Sequence, residues 1–445
     1  MKESPEFREV DAALEARGNI RMVFDLSKIE ELLDLLGSPQ RAYPSIHLTG
    51  TNGKTTTARM IDALLRAHGL HTGRYTSPHL ETVRERISLD GEPISEERLV
   101  ALYREVEPLA ELIDARVSEP LTYFDMTTAM ALAAFADAPV DVAVVEVGLG
   151  GVEDSTNVLQ ANTIVITPIG LDHTEWLGDT IADIATAKSG IIFAAATLIC
   201  ATQPTDAMQP ILERCAEVGA TIAREGAEFG VLSRDLAVGG QVLSLQGLSG
   251  VYDEVFIRLH GAYQAQNAGM ALAAVEAFLG AGANTRQLEP EVVREGFAEA
   301  TSPGRLERVR SAPTILLDAA HNPHGMTATV AALQEEFSFG RLIAVVAVLA
   351  DKDVSGMLDL LEPVVDAIVC TRNSSPRAMS AGALAEQAVE IFGEDRVRVE
   401  GSMPDAIEAA VALAEADVDS SLAGVGVLIT GSVITVADAR TLLVR

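Results

Sequence analysis

Short apolar runs alternate with amphipathic segments along the chain, and this pattern constrains the possible folds more than any other feature. Residues 140–147 form an almost continuous apolar run, which is typical of a strand buried on both faces of a parallel sheet. The same half of the chain contains further predicted strands at residues 43–49 and 163–167 and predicted helices at residues 54–68, 180–188 and 264–279. The alternation predicts an α/β protein with a mostly parallel sheet.

A second, smaller, doubly wound α/β domain is predicted over residues 304–445, after a first domain at residues 1–300. Its predicted strands are residues 314–317, 342–349, 366–371, 397–399 and 426–430, and its predicted helices are residues 326–337, 380–391 and 404–414. Ser302-Pro303-Gly304 interrupts the helical pattern and therefore marks the boundary. The length of 445 residues agrees with roughly two to three domains.

The charge of the chain excludes one class of partner. It has 64 acidic and 33 basic residues, a formal net charge of -31, and a field of that sign repels phosphate backbones, so we expect no nucleic-acid binding. No apolar run is long enough to span a membrane, and the charged start does not resemble a secretory signal. The three cysteines lie far apart, as buried thiols do in a reducing compartment, which predicts a cytoplasmic protein.

A glycine-rich turn between a predicted strand and a predicted helix carries the strongest chemical signal. It comprises Gly50, Thr51, Asn52, Gly53, Lys54, Thr55 and Thr56. In such a loop the backbone N–H groups and the positive end of the helix bind phosphate oxygens, the lysine contacts the outer phosphates, and a threonine hydroxyl binds Mg²⁺. Leu48 stands where the usual pattern has its first glycine. The alternative is an ordinary turn with a surface lysine, and the flanking strand and helix disfavour it.

Polar residues follow several predicted strands. Glu146 lies near the end of the apolar run, where a carboxylate is costly unless it is paired or binds a metal, so we predict a Mg²⁺ ligand, with a salt-bridged acid as the alternative. His173 lies in a predicted loop at residues 168–179 after the next strand, and Lys188 follows it. Residues 318–323 end the first strand of the second domain. Each signal is modest alone, and a structural role stays open for His173 and Lys188.

The order of these segments resembles the folylpolyglutamate synthase/dihydrofolate synthase family, within the Mur ligase superfamily. The resemblance runs from about Ile29 to the C-terminus, and the matching segments are residues 46–55, 76–80, 85–87, 145–151, 171–174, 303–307 and 318–323. It implies a Mur ligase-like fold, in which an ATP-binding domain with a phosphate loop (P-loop) precedes a glutamate-ligase-like domain.

The resemblance also implies a reaction. The family's enzymes are ATP- and Mg²⁺-dependent amide ligases whose active site lies between the two domains. Such an enzyme adds L-glutamate to a folate-type carboxylate (dihydropteroate, tetrahydrofolate or both) through an acyl phosphate. We therefore expect ATP, L-glutamate and a folate or dihydropteroate as small-molecule substrates, and a monomer.

Matching positions carry the family's roles over to this chain. The catalytic residues would be Lys54, Lys188, His173 and His321, with Lys188 carbamylated by CO₂. ATP would be bound by Gly50, Thr51, Asn52, Gly53, Lys54, Thr55, Thr56, Asn267 at the adenine, Arg305 and Asp318. The ligands of two Mg²⁺ ions would be Thr55, Ser77, Glu146 and His173. The acceptor and the incoming glutamate would contact Phe124, Asp154, His321 and Ser432.

The chain departs from the family pattern at four positions, which are Val152, Ala187, Tyr263 and Ser302. The family usually has arginine, glutamate, histidine and tryptophan there. None of the four is a phosphate or metal ligand, so they bear on the acceptor and on the surroundings of Lys188. Two alternatives therefore stay open: a divergent Mur-type ligase acting on another carboxylate, and a non-catalytic nucleotide-binding paralogue.

Overall fold

The computed structural model describes residues 3–18, 25–280, 287–416 and 424–444. The chain forms two compact units. Unit 1 consists of Met1–Asp235, Val242–Ile257 and Ala265–Thr301, and unit 2 consists of Leu236–Gln241, Arg258–Gln264 and Ser302–Arg445. Unit 2 thus takes two short segments from before residue 265 in addition to everything from Ser302 onward.

An eight-stranded sheet forms the centre of unit 1. Its strands are β1 (Ser45–Thr49), β2 (Thr72–Tyr75), β3 (Ile87–Leu89), β4 (Glu92–Pro93), β5 (Val142–Glu146), β6 (Thr163–Ile166), β7 (Thr197–Cys200) and β8 (Thr221–Arg224). Their spatial order is β4-β3-β2-β5-β1-β6-β7-β8. β1 pairs in parallel with β5 and β6, and only the β2-β3-β4 edge is antiparallel. The predicted mostly parallel sheet is confirmed.

A three-stranded sheet that the sequence patterns did not predict follows. It consists of β9 (Gly230–Ala237), β10 (Gly240–Gln246) and β11 (Val251–Ile257), in the order β11-β10-β9. Most residues of β9 are exposed or half-buried. An exposed strand has no continuous apolar run, which explains why the pattern missed it.

Ten helices occur in the described residues before Ser302. They are α1 (Pro5–Arg17), α2 (Ser27–Leu35), α3 (Lys54–Ala67), α4 (Glu96–Asp114), α5 (Tyr123–Asp137), α6 (Thr174–Leu177), α7 (Ile181–Ser189), α8 (Thr205–Val218), α9 (Ala262–Phe278) and α10 (Pro290–Glu299). All five residues of β1 are buried. The prediction of a loop throughout residues 168–179 is wrong, because residues 174–177 close one helical turn in which Leu177 N–H donates to the His173 carbonyl.

A six-stranded sheet forms the centre of unit 2. Its strands are β12 (Glu307–Ser311), β13 (Thr314–Leu317), β14 (Phe339–Val346), β15 (Ala367–Cys370), β16 (Val397–Val399) and β17 (Gly424–Thr430). Their order is β12-β13-β17-β14-β15-β16, and all pairs are parallel except β12-β13. The helices are α11 (Pro323–Glu336), α12 (Val354–Leu361), α13 (Ala381–Phe392), α14 (Met403–Glu415) and α15 (Val433–Leu443). β12, α12 and α15 were not predicted.

Among the described residues, no helix is both long and apolar enough to cross a membrane. The five residues of β1, the strand that precedes the phosphate loop, are buried. The carboxyl ends of β1, β5 and β6 open at one edge of the unit 1 sheet, because the three strands run in parallel. The candidate site is built on that edge.

Candidate functional site

The glycine-rich loop leads from β1 into α3, as predicted. Lys54 begins α3, and its ammonium donates to the carbonyls of Gly50 (3.0 Å) and Thr51 (3.2 Å). Gly53 has a φ of 91°, in the left-handed region that favours glycine, and a Cβ there would lie 2.6 Å from Oδ1 of Asn267. Asn267 is buried in α9. The structure therefore places the predicted adenine-binding residue directly against the phosphate loop.

Hydrogen-bond donors from two other segments converge on Glu146. The Thr55 hydroxyl lies 3.0 Å from both carboxylate oxygens, and the backbone N–H of Ser77 donates to Oε2 at 3.3 Å. Glu146 is 1% exposed, so an ionised carboxylate here needs a compensating positive charge. Carboxylate and hydroxyl oxygens are hard ligands that suit Mg²⁺. Thr55, Ser77 and Glu146 therefore fit the predicted metal by position and by donor chemistry.

The surroundings of His173 differ from those of Glu146. Its side chain is 43% exposed, and Nε2 lies 3.9 Å from Oδ2 of Asp172. Within the described residues, no cluster of three or more His, Cys, Asp or Glu side chains could hold a metal ion. The assignment of His173 to a second Mg²⁺ stays a prediction.

Lys188 reaches the phosphate loop from α7. Its side chain is 4% exposed, and Nζ donates to the Gly50 carbonyl at 2.8 Å. Burial, followed by the charge of Lys54, lowers the pKa of Lys188 from 10.5 to about 7, while Asp172 and Asp154 oppose that change. A substantial fraction of this amine is therefore neutral near neutral pH and carries the lone pair that a reaction with CO₂ requires.

Phe124 and Asp154, the two residues predicted to contact the acceptor substrate, belong to adjoining segments. Phe124 lies in the first turn of α5, and its ring occupies the space that a Cβ on Gly148 would need. Asp154 is buried and accepts hydrogen bonds from Leu149 N–H (2.8 Å), Thr156 N–H (3.0 Å) and the Thr156 hydroxyl (2.5 Å). The structure thus gives Asp154 a role in ordering the loop after Glu146.

Unit 2 carries the other predicted residues at the ends of its strands. Asp318 follows β13 and accepts from Leu306 N–H (2.8 Å), Ala320 N–H (3.0 Å) and the Thr329 hydroxyl (2.7 Å). Burial raises the pKa of Asp318, while these hydrogen bonds and the charge of Arg305 lower it. Nδ1 of His321 lies 2.9 Å from the carbonyl oxygen of Ala319. Because a carbonyl oxygen can only accept, Nδ1 carries the hydrogen.

Ser432, predicted near the incoming glutamate, has a clear structural role. It is 2% exposed and caps α15, because its hydroxyl accepts from Thr435 N–H at 3.0 Å. Asn373 also donates to it at 3.0 Å. The structure supports a helix cap here, and a contact with glutamate stays a prediction.

Sequence patterns missed two buried polar groups beside the site. Arg74 on β2 donates to Asp62 of α3 at 2.9 Å, and both side chains are almost fully buried. His47 in the middle of β1 has its Nε2 2.8 Å from the Thr156 hydroxyl. His47 lies within a segment that matched the family, but neither residue stands at a strand end, so nothing in the sequence singled them out.

Family models match both halves of the chain. The Mur ligase middle domain matches residues 48–275, and the Mur ligase glutamate ligase domain matches residues 304–433. The dihydrofolate synthase/folylpolyglutamate synthase of Mycobacterium tuberculosis is 53% identical over 439 residues, which span 94% of this chain and 90% of that protein. The chain belongs to the folylpolyglutamate synthase/dihydrofolate synthase family. The predicted resemblance and fold class are both confirmed.

Solved structures of this family agree. Mycobacterium tuberculosis folylpolyglutamate synthase complexed with ADP is 52% identical with a TM-score of 0.94, and the alignment covers 99% of this chain and 98% of that one. Escherichia coli FolC in complex with DHPP and ADP is 31% identical with a TM-score of 0.83, covering 99% and 97%. As a folylpolyglutamate synthase/dihydrofolate synthase family member, the chain is an ATP-dependent ligase.

Proposed function

We propose that this ligase joins L-glutamate to a folate-type carboxylate, on dihydropteroate, a reduced folate or both, with ATP and Mg²⁺. The observation that carries the proposal is the convergence of Thr55 and Ser77 on the buried carboxylate of Glu146, directly beside the phosphate loop. Relatives whose names include both synthase activities, and a relative's structure with DHPP and ADP, support the choice of acceptors.

In the first step, an oxygen of the acceptor carboxylate attacks the γ-phosphorus of ATP, and ADP leaves. The product is an acyl phosphate. Lys54 and the N–H groups at the start of α3 offset the negative charge that spreads over the transferring phosphoryl group. Glu146, Thr55 and Ser77 would hold Mg²⁺, which supplies further positive charge to the phosphates when it is bound.

In the second step, the amine of glutamate attacks the acyl carbonyl. The tetrahedral intermediate then expels inorganic phosphate and leaves an amide. Within unit 2, we assign Arg305 and Asp318 to ATP and His321 to the glutamate, with Ser432 as a further candidate. Since Nδ1 of His321 donates to the Ala319 carbonyl, the neutral ring has its lone pair on Nε2, the nitrogen suited to accept a proton.

Two assignments in unit 1 complete the proposal. Phe124 and the loop ordered by Asp154 would receive the acceptor, and Asn267 would contact the adenine. Lys188 would be carbamylated, since its neutral amine attacks the carbon of CO₂, forms an N–C bond and loses a proton. The product, a carbamate, is an anion that would balance the charge of a nearby cation. His173 would ligate a second Mg²⁺.

Measuring ADP and phosphate release tests this function. The protein is incubated with ATP, Mg²⁺ and L-glutamate together with dihydropteroate or tetrahydrofolate, and the product is identified by its mass. We expect release only when acceptor and glutamate are both present, and none with Lys54→Met. Release of ADP and phosphate with a different carboxylate, but with neither dihydropteroate nor tetrahydrofolate, would assign a divergent Mur-type ligase. Nucleotide binding without release under any condition would assign a non-catalytic paralogue.

We also propose that the enzyme acts as a cytoplasmic monomer that binds neither nucleic acid nor a membrane. Cys200, Cys215 and Cys370 are buried free thiols, which suits a reducing compartment, and the net charge is -31. Light scattering coupled to size exclusion tests the oligomeric state against the 47.0 kDa mass of the chain. A mass near twice that value would contradict the proposal.

A further inference from the structure

A chain of hydrogen bonds runs from the middle of β1 to the loop after Glu146. His47 Nε2 lies 2.8 Å from the Thr156 hydroxyl, and that hydroxyl donates to Oδ1 of Asp154 at 2.5 Å. His47 and Thr156 are both wholly buried, and Asp154 is 7% exposed. None of the roles assigned above uses His47 or Thr156. His47, Thr156 and Asp154 therefore form a buried row of three polar side chains.

The direction of the chain follows from counting hydrogens. The Thr156 hydroxyl has one hydrogen and gives it to Asp154, so His47 must donate from Nε2. The other ring nitrogen of His47, Nδ1, has no hydrogen-bond partner among the described residues, which a bare acceptor tolerates better than a buried N–H. Burial also lowers the pKa of His47 to about 3, which keeps the ring neutral.

Asp154 uses its hydrogen-bonding capacity within the protein. Oδ1 accepts from the hydroxyl and the N–H of Thr156, and Oδ2 accepts from Leu149 N–H, while Gly148 N–H also bonds the carboxyl group. A carboxylate offers about four lone-pair sites, so little capacity is left for a ligand. The carboxylate thus connects the two ends of the loop at residues 148–156.

The loop at residues 148–156 also contacts Phe124, the other residue predicted to contact the acceptor substrate. Gly148 packs against the Phe124 ring, and the Ser155 hydroxyl donates to Asp125 Oδ1 at 2.5 Å, next to Phe124 in α5. A shift of the loop would therefore move the ring of Phe124 or open a gap beside it. The order of the loop and the position of Phe124 depend on each other.

We propose that His47 is a positioning residue for the acceptor: acting through Thr156 and Asp154, it fixes the loop at residues 148–156 against Phe124. The inference rests on the proposed function, because the ligand concerned is the folate-type acceptor. It also changes the role of Asp154 from a residue that contacts the acceptor to one that shapes its binding surface. The phosphate loop also follows β1, but the side chains of His47, Thr156 and Asp154 do not hydrogen-bond to it.

Steady-state kinetics of His47→Leu and His47→Gln test the inference. Leucine removes the donor, and we expect the KM for the acceptor to rise about tenfold, the effect of losing one hydrogen bond in a buried network, with the KM for ATP and kcat within about twofold of wild type. Glutamine places an amide N–H near the position of Nε2, so His47→Gln should recover most of the acceptor affinity. Ile199→Ala, which creates a cavity at a fully buried side chain of β7, is the matched control for general destabilisation.

A double-mutant cycle with Asp154→Asn separates positioning from packing. If His47 acts through Asp154, adding His47→Leu to Asp154→Asn raises the acceptor KM no further. Additive effects, an equal rise in the KM for ATP, or the same change in Ile199→Ala would each overturn the inference. The wild-type arm tests the proposed function itself, since no turnover with either folate-type acceptor would refute both, whereas normal turnover with an unaffected His47→Leu would refute only the role of His47.

Discussion

Replacing Lys188 with methionine removes an amine that the fold holds in a buried, low-pKa state, and its effect on stability should depend strongly on pH. The pKa of Lys188 falls from 10.5 to about 7 in the folded protein, mainly by burial. Between those two values the unfolded chain binds more protons than the native protein, so the stability of the wild type rises with pH across that window. Below the pKa that Lys188 has in the folded protein, the native state carries the full free-energy cost of burying its ammonium group.

The magnitude follows from the same values. Each unit of pH inside the window changes the free energy of unfolding by up to about 1.4 kcal/mol. Between about pH 7 and about pH 9 the wild type should therefore gain roughly 2 kcal/mol relative to Lys188→Met, after allowance for the partial titration near the lower limit. Titrating groups that do not interact with Lys188 are common to both proteins and cancel in the difference.

Urea unfolding followed by tryptophan fluorescence measures this difference. Trp176 is the single tryptophan of the chain and lies in unit 1, like Lys188, so the signal reports the unit in question. Lys54→Met serves as a second variant: it removes the nearby charge, raises the pKa of Lys188 in the folded protein and so narrows the window from its lower end. A stability difference between wild type and Lys188→Met that is the same at both pH values would refute the reasoning.

The same titration predicts reactivity toward CO₂. At about pH 7 roughly half of the Lys188 amines are neutral, compared with about one in three thousand for an ordinary lysine with a pKa of 10.5. With ¹³C-labelled bicarbonate, the wild type should show one carbamate resonance that Lys188→Met lacks, and its intensity should fall as the pH is lowered from about 8 to about 6. A resonance of equal intensity in both proteins would place the carbamate elsewhere.

Three further predictions concern the unit 1 site. Glu146→Gln should lower kcat by about 100-fold or more, since the anionic group proposed to bind the metal is lost, and a Mg²⁺ titration of ADP release would reveal it. Gly148→Ala should displace Phe124 and raise the acceptor KM about tenfold with an unchanged ATP KM, a split that a global packing defect would not give. Arg74→Met removes the buried cation beside Asp62, whose carboxylate keeps the Thr72 hydroxyl and the half-buried Arg66 as partners, so urea unfolding should show a loss of about 3 kcal/mol, which Asp62→Asn in the same chain should reduce.

The location of the metal candidates could be predicted from sequence, and the reason is topological. A continuous apolar run implies a strand covered on both faces, and parallel strands bring their carboxyl ends to one edge. Leu48 and Glu146 are register partners of β1 and β5, so the phosphate loop and the carboxylate emerge side by side. The meeting of Thr55 with Glu146 follows from that register.

The hydrogen-bond chain at His47 could not be predicted in the same way. His47 and Thr156 are 109 positions apart, and nothing local to either residue specifies the partner. Residues 230–257 show a related limit, because β9 is largely exposed and its sequence lacks the apolar run that marks the other strands. Contacts that depend on packing between distant segments, or strands without a buried face, leave no periodic signature.

Two polar side chains of β1, His47 and Thr49, have different partners, and replacing each should affect the two proposed substrates differently. The Thr49 hydroxyl donates to the Gly150 carbonyl at 2.7 Å, while the next residue, Gly50, accepts from both Lys54 and Lys188. Thr49→Val should therefore disturb the phosphate loop together with the loop after Glu146, and raise the KM for ATP and for the acceptor alike. His47→Leu, whose donor reaches only Thr156, should raise the acceptor KM alone. Identical kinetic profiles for the two variants would mean that β1 transmits changes as one rigid strand.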